Sequence, residues 1–299
     1  MKQTKSLQKR KKVNKNHRKV SGLFLAPSLL GVLIFFVLPF LVVIYYSFVE
    51  NPISKRFVGQ TNYINVLHNS AFRTAVGNTL LFSLIAVPLA VILGMMLAFL
   101  LDAGIPMRSQ LRSAFLTPLM VPIASIVLIF QVLFDYNGVV NEVIMKFGAP
   151  RIDWLKSSAG LLVIIILFLW KNLGYNMILF LSAMGNIPKD VVEVAQLDGA
   201  NRFQIFWHVK LRYLSPMVLF TTILSIINSF KVFREVYLLT GEYPFGALYM
   251  LQHYMNNTFA SADYQKLSTA AIYMSFVMII IIGLMFLAEN RYGKDLEEE

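Results

Sequence analysis

Residues 75–101 read AVGNTLLFSLIAVPLAVILGMMLAFLL, an apolar stretch without a charged side chain, between Arg73 and Asp102. A helix needs roughly 20 apolar residues to cross a hydrocarbon core about 30 Å thick, so this stretch is predicted to span a membrane. The rest of the chain agrees. Of its 299 residues 57% are hydrophobic and 14% are charged, whereas soluble domains carry about 25% charged residues. The composition therefore indicates an integral membrane protein.

Five other segments are also long and apolar enough to cross, one of them interrupted by Lys171. The first ends in the interfacial aromatics Tyr45, Tyr46 and Phe48 and is expected to be kept as an anchor rather than removed as a leader. The predicted fold class is all-α, a polytopic membrane protein with six transmembrane helices. The predicted spans are about 22–48, 75–101, 113–134, 159–184, 213–230 and 267–288.

Lysine and arginine are concentrated in alternate connecting segments, which predicts the orientation. Short cytoplasmic loops retain basic residues, and these are densest in 1–21, 102–112, 185–212 and 289–299. Both termini are therefore predicted to be cytoplasmic, with a basic tail at 1–21, a membrane domain at 22–288 and a C-terminal tail at 289–299. The net charge of +11 is attributed to a tail lying on anionic lipid rather than to nucleic-acid binding.

The sequence shows no signature of enzymatic or metal chemistry. It contains no cysteine, and its four histidines are far apart, so no metal site is predicted. The spans carry no nucleophile-and-base pair and no acidic pair, so no catalytic residue is predicted. A Gly-x-x-x-x-Gly-Lys-Ser/Thr phosphate-binding loop is also absent. The prediction is a non-enzymatic chain without a cofactor of its own.

The loop 185–212 reads GNIPKDVVEVAQLDGANRFQIFWHVKLR and has internal architecture. Asp190 followed three residues later by Glu193 has the spacing of a capping box, which predicts the start of a short helix. Gly199 stands where a left-handed residue would end that helix. The cap-plus-third-position pattern recurs from Asn201 and predicts a second helix. The loop is therefore predicted to form a helix, a turn and a helix.

Two interpretations of this loop follow from composition. In the second helix Phe203, Phe206, Trp207 and Lys210 share one flank, which is typical of a helix lying in the membrane interface. The loop could therefore be an interfacial hairpin that only connects two spans. Its capped, glycine-hinged form also suits docking to a partner.

A resemblance to a known family bears on that choice. The loop closely resembles the EAA loop of binding-protein-dependent ABC importer permeases, through Glu193-Val194-Ala195, Asp198-Gly199-Ala200, Phe206-Trp207, Leu211 and Pro216. It differs at Val194, where the family usually has alanine, and at Arg212, where it often has proline. The resemblance implies that residues 190–200 form a coupling helix that docks on a cytoplasmic nucleotide-binding subunit. The implied ATPase-coupling residues are Glu193, Val194, Ala195, Asp198, Gly199, Ala200 and Arg202.

The resemblance extends over nearly the whole chain and points to the carbohydrate-uptake branch, which includes maltose, glycerol-phosphate and multiple-sugar permeases. Segments similar to that branch are Leu23-Phe24-Leu25-Ala26-Pro27, Phe57-Val58-Gly59-Gln60-Thr61-Asn62-Tyr63, Asn78-Thr79-Leu80, Arg112 with Pro118, and Gly138 with Asn141. A departure is Gly241-Glu242-Tyr243-Pro244, where the family often has Gly-Gly-Pro. Import of a sugar or oligosaccharide is the function that the resemblance implies.

The same resemblance implies the partners and the location. They are a second homologous permease subunit, two cytoplasmic ABC ATPase subunits that carry ATP and magnesium, and an extracellular or periplasmic solute-binding protein. The location implied is the bacterial cytoplasmic membrane. An ion-coupled secondary transporter or a channel subunit is the alternative, although neither needs the hairpin 185–212.

The path of the solute is predicted from polar residues in the spans. A lysine inside a span costs about 2.5–3.5 kcal/mol on insertion scales, so Lys171, with Asn172 and Tyr175 beside it, is expected to face protein or water. The alternative is a snorkelling lysine whose amine reaches the interface. Asn228 and Lys231, with Glu235 and Tyr237 nearby, are further candidates, although a helix leaving the membrane normally becomes polar.

Overall fold

A computed structural model describes residues 24–292 of the chain, apart from the side chains of Arg202 and of 290–292. The predicted tail 1–21 and the last residues, 293–299, lie outside this range. Helices account for most of the described residues, and one isolated bridge among them joins Val49 and Phe57. The prediction of an all-α fold is confirmed. The helices are α1 (Phe24–Ser47), α2 (Thr61–His68), α3 (Ser70–Asp102), α4 (Arg108–Met120), α5 (Ile123–Leu133), α6 (Val139–Lys146), α7 (Gly160–Met184), α8 (Lys189–Leu197), α9 (Leu211–Phe230), α10 (Phe233–Thr240), α11 (Leu251–Ala260) and α12 (Tyr264–Tyr292).

The described residues divide into two compact units, of which the first comprises residues 24–66 and Asp263–Tyr273. In this unit the most apolar part of α1 has no buried residue. The helix contains a π-helical segment, Leu33–Val37, just before Pro39. The amide of Asn62 donates hydrogen bonds to the carbonyls of Ser47 and Val49, at 3.0 and 2.8 Å. These bonds tie the end of α1 to the start of α2.

The second unit, Leu67–Ala262 with residues 274–292, is built around α3, α7 and α9. Gly94 lets α3 and α7 approach closely, because a Cβ there would lie 2.7 Å from the Cβ of Asn176. Asn176 Nδ2 donates to the carbonyl of Ala90 on α3 and to Ser225 Oγ on α9, each at 3.2 Å. One buried amide thus joins all three helices.

The structure departs from the predicted third span, 113–134, which is not one straight helix. It consists of α4 and α5, bent by 100° at their junction. Val121 is extended, with ψ of 131°, because the ring of Pro122 disfavours the helical conformation of the preceding residue. Five helices of the described range are therefore long and apolar enough to cross a membrane, or six if the bent pair forms one span.

The predicted fifth span, 213–230, is longer in the structure. A π-helical segment, Ile205–Lys210, leads directly into α9, and the apolar helical stretch as a whole runs over Ile205–Thr240. The helical stretch therefore runs from the hairpin 185–212 through α9 and, after a turn at Lys231 and Val232, into α10.

Beyond α5, the segment 135–154 is organised by the fully buried side chain of Asn141. Its Nδ2 donates to the carbonyls of Asp135, Tyr136 and Ile152, at 3.4, 3.0 and 2.8 Å. Its Oδ1 accepts from the backbone N–H of Ile152 and from Trp154 Nε1, each at 3.1 Å. A single amide therefore satisfies five partners and fixes the loop against α6.

The segment between α10 and α12 is bound to α3. Thr79 Oγ1 accepts from the N–H of Leu251 at 2.8 Å, which satisfies a free donor at the start of α11. Within α11 the buried His253 accepts from the N–H of Met250 through Nδ1, at 3.2 Å. Burial lowers the pKa of His253 to about 4, so its imidazole is neutral at physiological pH.

Candidate functional site

Two sites follow from the fold, a hairpin between α7 and α9 and a cavity beside α7. The hairpin begins with α8, whose N-cap is Pro188 and carries no side-chain hydrogen bond. The predicted capping box of Asp190 and Glu193 is therefore wrong. The reason is that α8 begins at Lys189, which puts Asp190 inside the first turn. There its carboxylate interacts favourably with the helix dipole.

The turn after α8 has the predicted left-handed glycine, since φ of Gly199 is +82°. The N–H of Ala200 donates to the carbonyl of Ala195, and the N–H of Gly199 donates to that of Gln196, each at 3.0 Å. These two bonds form a Schellman motif, which satisfies carbonyls at the helix end. The prediction of positive φ at Gly199 is confirmed.

The second helix begins with the predicted reciprocal cap. The N–H of Asn201 donates to Gln204 Oε1 at 2.8 Å, and the N–H of Gln204 donates to Asn201 Oδ1 at 2.9 Å. The prediction of a helix, a turn and a helix is therefore confirmed for the hairpin as a whole.

An ion pair and aromatic contacts connect the hairpin to the end of α3. Lys210 Nζ lies 2.8 Å from Asp102 Oδ2 and 5.2 Å from the ring centroid of Phe99. The rings of Phe99 and Phe206 meet edge to face at 5.0 Å. These contacts hold the π-helical segment, which the sequence did not indicate, against α3.

No residue of α8 is buried, and Glu193, Val194, Gln196 and Leu197 are exposed. Val194 and Leu197 are 57% and 87% exposed, and a cavity of about 360 Å³ lies beside the turn. Its lining residues are Ala195, Asp198, Gly199, Ala200, Gln204, Ile205, His208 and Val209. Four of the predicted coupling residues, Ala195, Asp198, Gly199 and Ala200, thus line this cavity. Glu193 and Val194 are exposed on α8, and the side chain of Arg202 lies outside the described part of the chain.

The larger cavity, of about 990 Å³, lies between α7, α9 and the segment around α10. All five residues predicted for the solute path line it, namely Lys171, Asn172, Tyr175, Asn228 and Lys231. Asn228 Nδ2 donates to Asn172 Oδ1 at 3.1 Å, so the two asparagines form one polar surface across α7 and α9.

Lys171 is paired inside the cavity. Its Nζ lies 2.5 Å from Oε1 of Glu235 on α10, and the two side chains are 35% and 5% exposed. The amine therefore faces protein rather than reaching along its stem to an interface. Sequence reasoning did not pair these residues, because 64 positions separate them and no local pattern links them.

Comparison with known proteins identifies the family. Residues 90–294 match the model of the binding-protein-dependent transport system inner membrane component. This chain belongs to that family. It is a multi-pass inner-membrane permease, and the ATPase of such an ABC importer is a separate chain.

Two relatives cover much of the permease. The trehalose/maltose transport system permease protein of Thermococcus litoralis is 29% identical over 289 residues, covering 95% of this chain and 98% of the relative. The arabinooligosaccharides transport system permease protein of Bacillus subtilis is 31% identical over 222 residues, covering 73% and 71%.

Solved structures show the same fold. A bacterial alginate ABC transporter, in complex with an alginate pentasaccharide-bound periplasmic protein, aligns with a TM-score of 0.77 and 19% identity. The alignment covers 94% of this chain and 97% of the other. The permease fold is thereby confirmed.

Proposed function

We propose that this permease forms half of the translocation pathway of an ABC importer for a sugar or oligosaccharide. The observation that carries the proposal is the exposed hairpin at α8, set in a chain of the binding-protein-dependent family. The names of the relatives support the substrate class, since they refer to trehalose, maltose and arabinooligosaccharides.

The hairpin provides a mechanical route from an ATPase to the solute. The exposed α8 would dock on a cytoplasmic nucleotide-binding subunit through Glu193 and its neighbours. The Schellman turn and the cap at Asn201 make the hairpin stiff, and Lys210 ties it to Asp102 on α3. Because the π-helical segment continues into α9, displacement of α8 would move a wall of the larger cavity.

The larger cavity is our candidate for the solute path. Its walls combine amides and ionised groups with aromatic rings, which suits a hydroxyl-rich solute with apolar ring faces. Lys171, Asn172, Tyr175, Asn228 and Lys231 all border it. Alternating access would expose this cavity to each side of the membrane in turn.

The assembly we propose contains a second homologous permease, two ATPase subunits with ATP and magnesium, and an external solute-binding protein. Both termini and the hairpin would be cytoplasmic. Surrounding lipid would cover the apolar outer surface, and nucleic acid has no part. An ion-coupled transporter or a channel would have no use for the exposed α8.

Co-purification with the ATPase tests the proposal. The chain is co-expressed with the ATPase encoded beside it and extracted in mild detergent. We expect the ATPase to stay bound to wild type and to be lost from the double variant Glu193→Lys, Gly199→Val.

A matched control is available in the segment 135–154. Glu142 lies on the exposed face of α6, and Gly148 follows that helix with φ of +81°. The double variant Glu142→Lys, Gly148→Val therefore makes the same chemical change away from the hairpin, and it should retain the ATPase. Equal retention by both double variants would contradict the coupling role.

A further inference from the structure

The ion pair of Lys171 and Glu235 in the larger cavity is incomplete. Glu235 is almost fully buried, and only its Oε1 is bound, by the amine of Lys171. Its Oε2 is buried and has no hydrogen-bond partner among the described residues. Buried polar atoms in proteins are nearly always hydrogen-bonded, so each exception requires an explanation.

The oxygen without a donor makes the Lys171–Glu235 ion pair energetically costly. Removing two charges from water is unfavourable unless further hydrogen bonds satisfy the remaining lone pairs. Oε2 is buried in this conformation, but Glu235 borders the cavity, so a rotation of its carboxylate would bring Oε2 to a donor on the solute side. Lys171 has three N–H donors, of which one is directed at Oε1, and its side chain is partly exposed to the same space.

The chemistry of the pair selects among solutes. An ionised carboxylate only accepts hydrogen bonds and an ammonium only donates them. At the pair itself Glu235 would repel a solute anion and Lys171 a solute cation, whereas Lys231 and Arg234 add positive charge elsewhere on the cavity wall. Two adjacent hydroxyls on a neutral ring suit both groups, because one hydroxyl can donate to Oε2 while its neighbour accepts from Nζ.

We infer that the Lys171–Glu235 pair binds two adjacent hydroxyls of a sugar ring and so contributes to the choice of solute by this permease. The inference rests on the proposed function, for which it supplies the chemistry of recognition. Four aromatic side chains line the same cavity and can cover the apolar face of a sugar ring: Phe168, Tyr175, Phe233 and Tyr237.

The first test replaces both charges with apolar side chains in Lys171→Met, Glu235→Leu. A structural ion pair tolerates such replacement well, so a structural role predicts unchanged transport. The importer is reconstituted in vesicles with its ATPase and binding protein, and uptake of labelled trehalose, maltose and arabinotriose is measured. We expect uptake to fall at least about tenfold, the effect of losing a hydrogen bond to a charged group, while ATPase activity stimulated by the binding protein persists.

The matched control removes a second ion pair, Asp263 with Lys266, which lies outside the cavity. Asp263 also has a buried carboxylate oxygen without a partner, so Asp263→Leu, Lys266→Met makes an equivalent change. We expect this variant to transport normally. Uptake by the Lys171, Glu235 variant within twofold of wild type would overturn the inference.

The second test uses the isosteric variant Glu235→Gln, which keeps the size of the side chain and decides the matter if the double variant does not assemble. Binding of the sugars to the permease–ATPase complex is followed by saturation-transfer NMR without the binding protein, whose own selectivity therefore does not enter. In wild type, analogues lacking one hydroxyl of the pair should bind at least about tenfold more weakly. The affinity of Glu235→Gln for the parent sugar should be lower than that of wild type by a similar factor. Its affinity for the deoxy analogue should equal that of wild type, because the analogue lacks the hydroxyl that Oε2 would bind.

The outcomes separate the two proposals. If the wild-type chain retains no ATPase and shows no ATP-dependent uptake, the proposed function fails. If the wild type transports but does not discriminate deoxy analogues, or binds none of the three neutral sugars, only the inference about the ion pair fails. Equal discrimination in wild type and Glu235→Gln would show that Oε2 is satisfied by water rather than by the solute.

Discussion

Gly199 illustrates a residue whose conformation, rather than its packing, explains its identity. Its φ is +82°, yet a Cβ added there would meet no atom within 4 Å. Any penalty for a side chain therefore comes from the backbone alone, at about 1–2 kcal/mol for an ordinary L-residue. The strain would fall on the turn that sets the direction of α8.

Substitution of Gly199 should therefore separate transport from folding. We expect Gly199→Val to insert normally and to lose most uptake in reconstituted vesicles, because a β-branched residue strongly disfavours the left-handed region. Gly199→Asn should retain most uptake, since asparagine adopts this conformation more readily. Equal uptake by the two variants would show that the turn conformation is not needed for coupling.

The residues differ in how far sequence alone predicts them. Gly199 and Asn201 were predictable because their partners lie within a few positions, and local spacing carries the information. The Asp190 cap was not, because the N-cap is Pro188 and α8 therefore begins two positions earlier than a cap at Asp190 would place it. Glu235 could be noticed as polar, but its contact with Lys171 depends on how α7 and α10 pack, which no local pattern records.

At the scale of elements, α6 and its loop depend on one buried amide. Asn141 donates to three carbonyls through a single Nδ2, and an aspartate would place an acceptor there instead. We expect Asn141→Asp to lower the free energy of unfolding by at least about 3 kcal/mol, since each carbonyl left unsatisfied costs about 1–3 kcal/mol. Thermal melting in detergent and proteolysis within 135–154 would measure the effect.

A control for this change lies in the same loop. Asn137 uses Oδ1 to accept from Arg151, and an aspartate keeps that acceptor. We expect the free energy of unfolding of Asn137→Asp to lie within about 0.5 kcal/mol of the wild-type value, as is usual for surface substitutions. Similar melting of both variants would show that Asn141 does not hold the loop.

The bent pair α4 and α5 shows what hydropathy cannot predict. Hydropathy located the apolar stretches, because a bilayer imposes a minimum length. It could not reveal the 100° bend between α4 and α5, since Pro122 permits a bend whereas packing decides whether one forms. This packing requires glycine at position 174, because a Cβ there would lie only 1.8 Å from the carbonyl oxygen of Phe115 on α4.

At the scale of the whole molecule, the orientation remains a prediction from the distribution of basic residues. The chain contains no cysteine, so a single introduced cysteine is labelled without background from native cysteines of this chain. With an impermeant maleimide on intact cells, we expect labelling of Ser54→Cys and Ser158→Cys. Gln196→Cys on α8 should be labelled only after the membrane is permeabilised. The reverse pattern would place the hairpin outside the cell and contradict its docking to an ATPase.

The bend after Met120 also bears on how the protein is synthesised. With 13 and 11 residues, α4 and α5 are each shorter than the roughly 20 residues that a spanning helix needs. The insertion machinery would therefore recognise 113–134 as one segment while it is still extended or straight. The bend would form afterwards, when the nascent α7 reaches the bilayer and offers Gly174 to α4. Biogenesis of this span would then be completed by a helix that leaves the ribosome later.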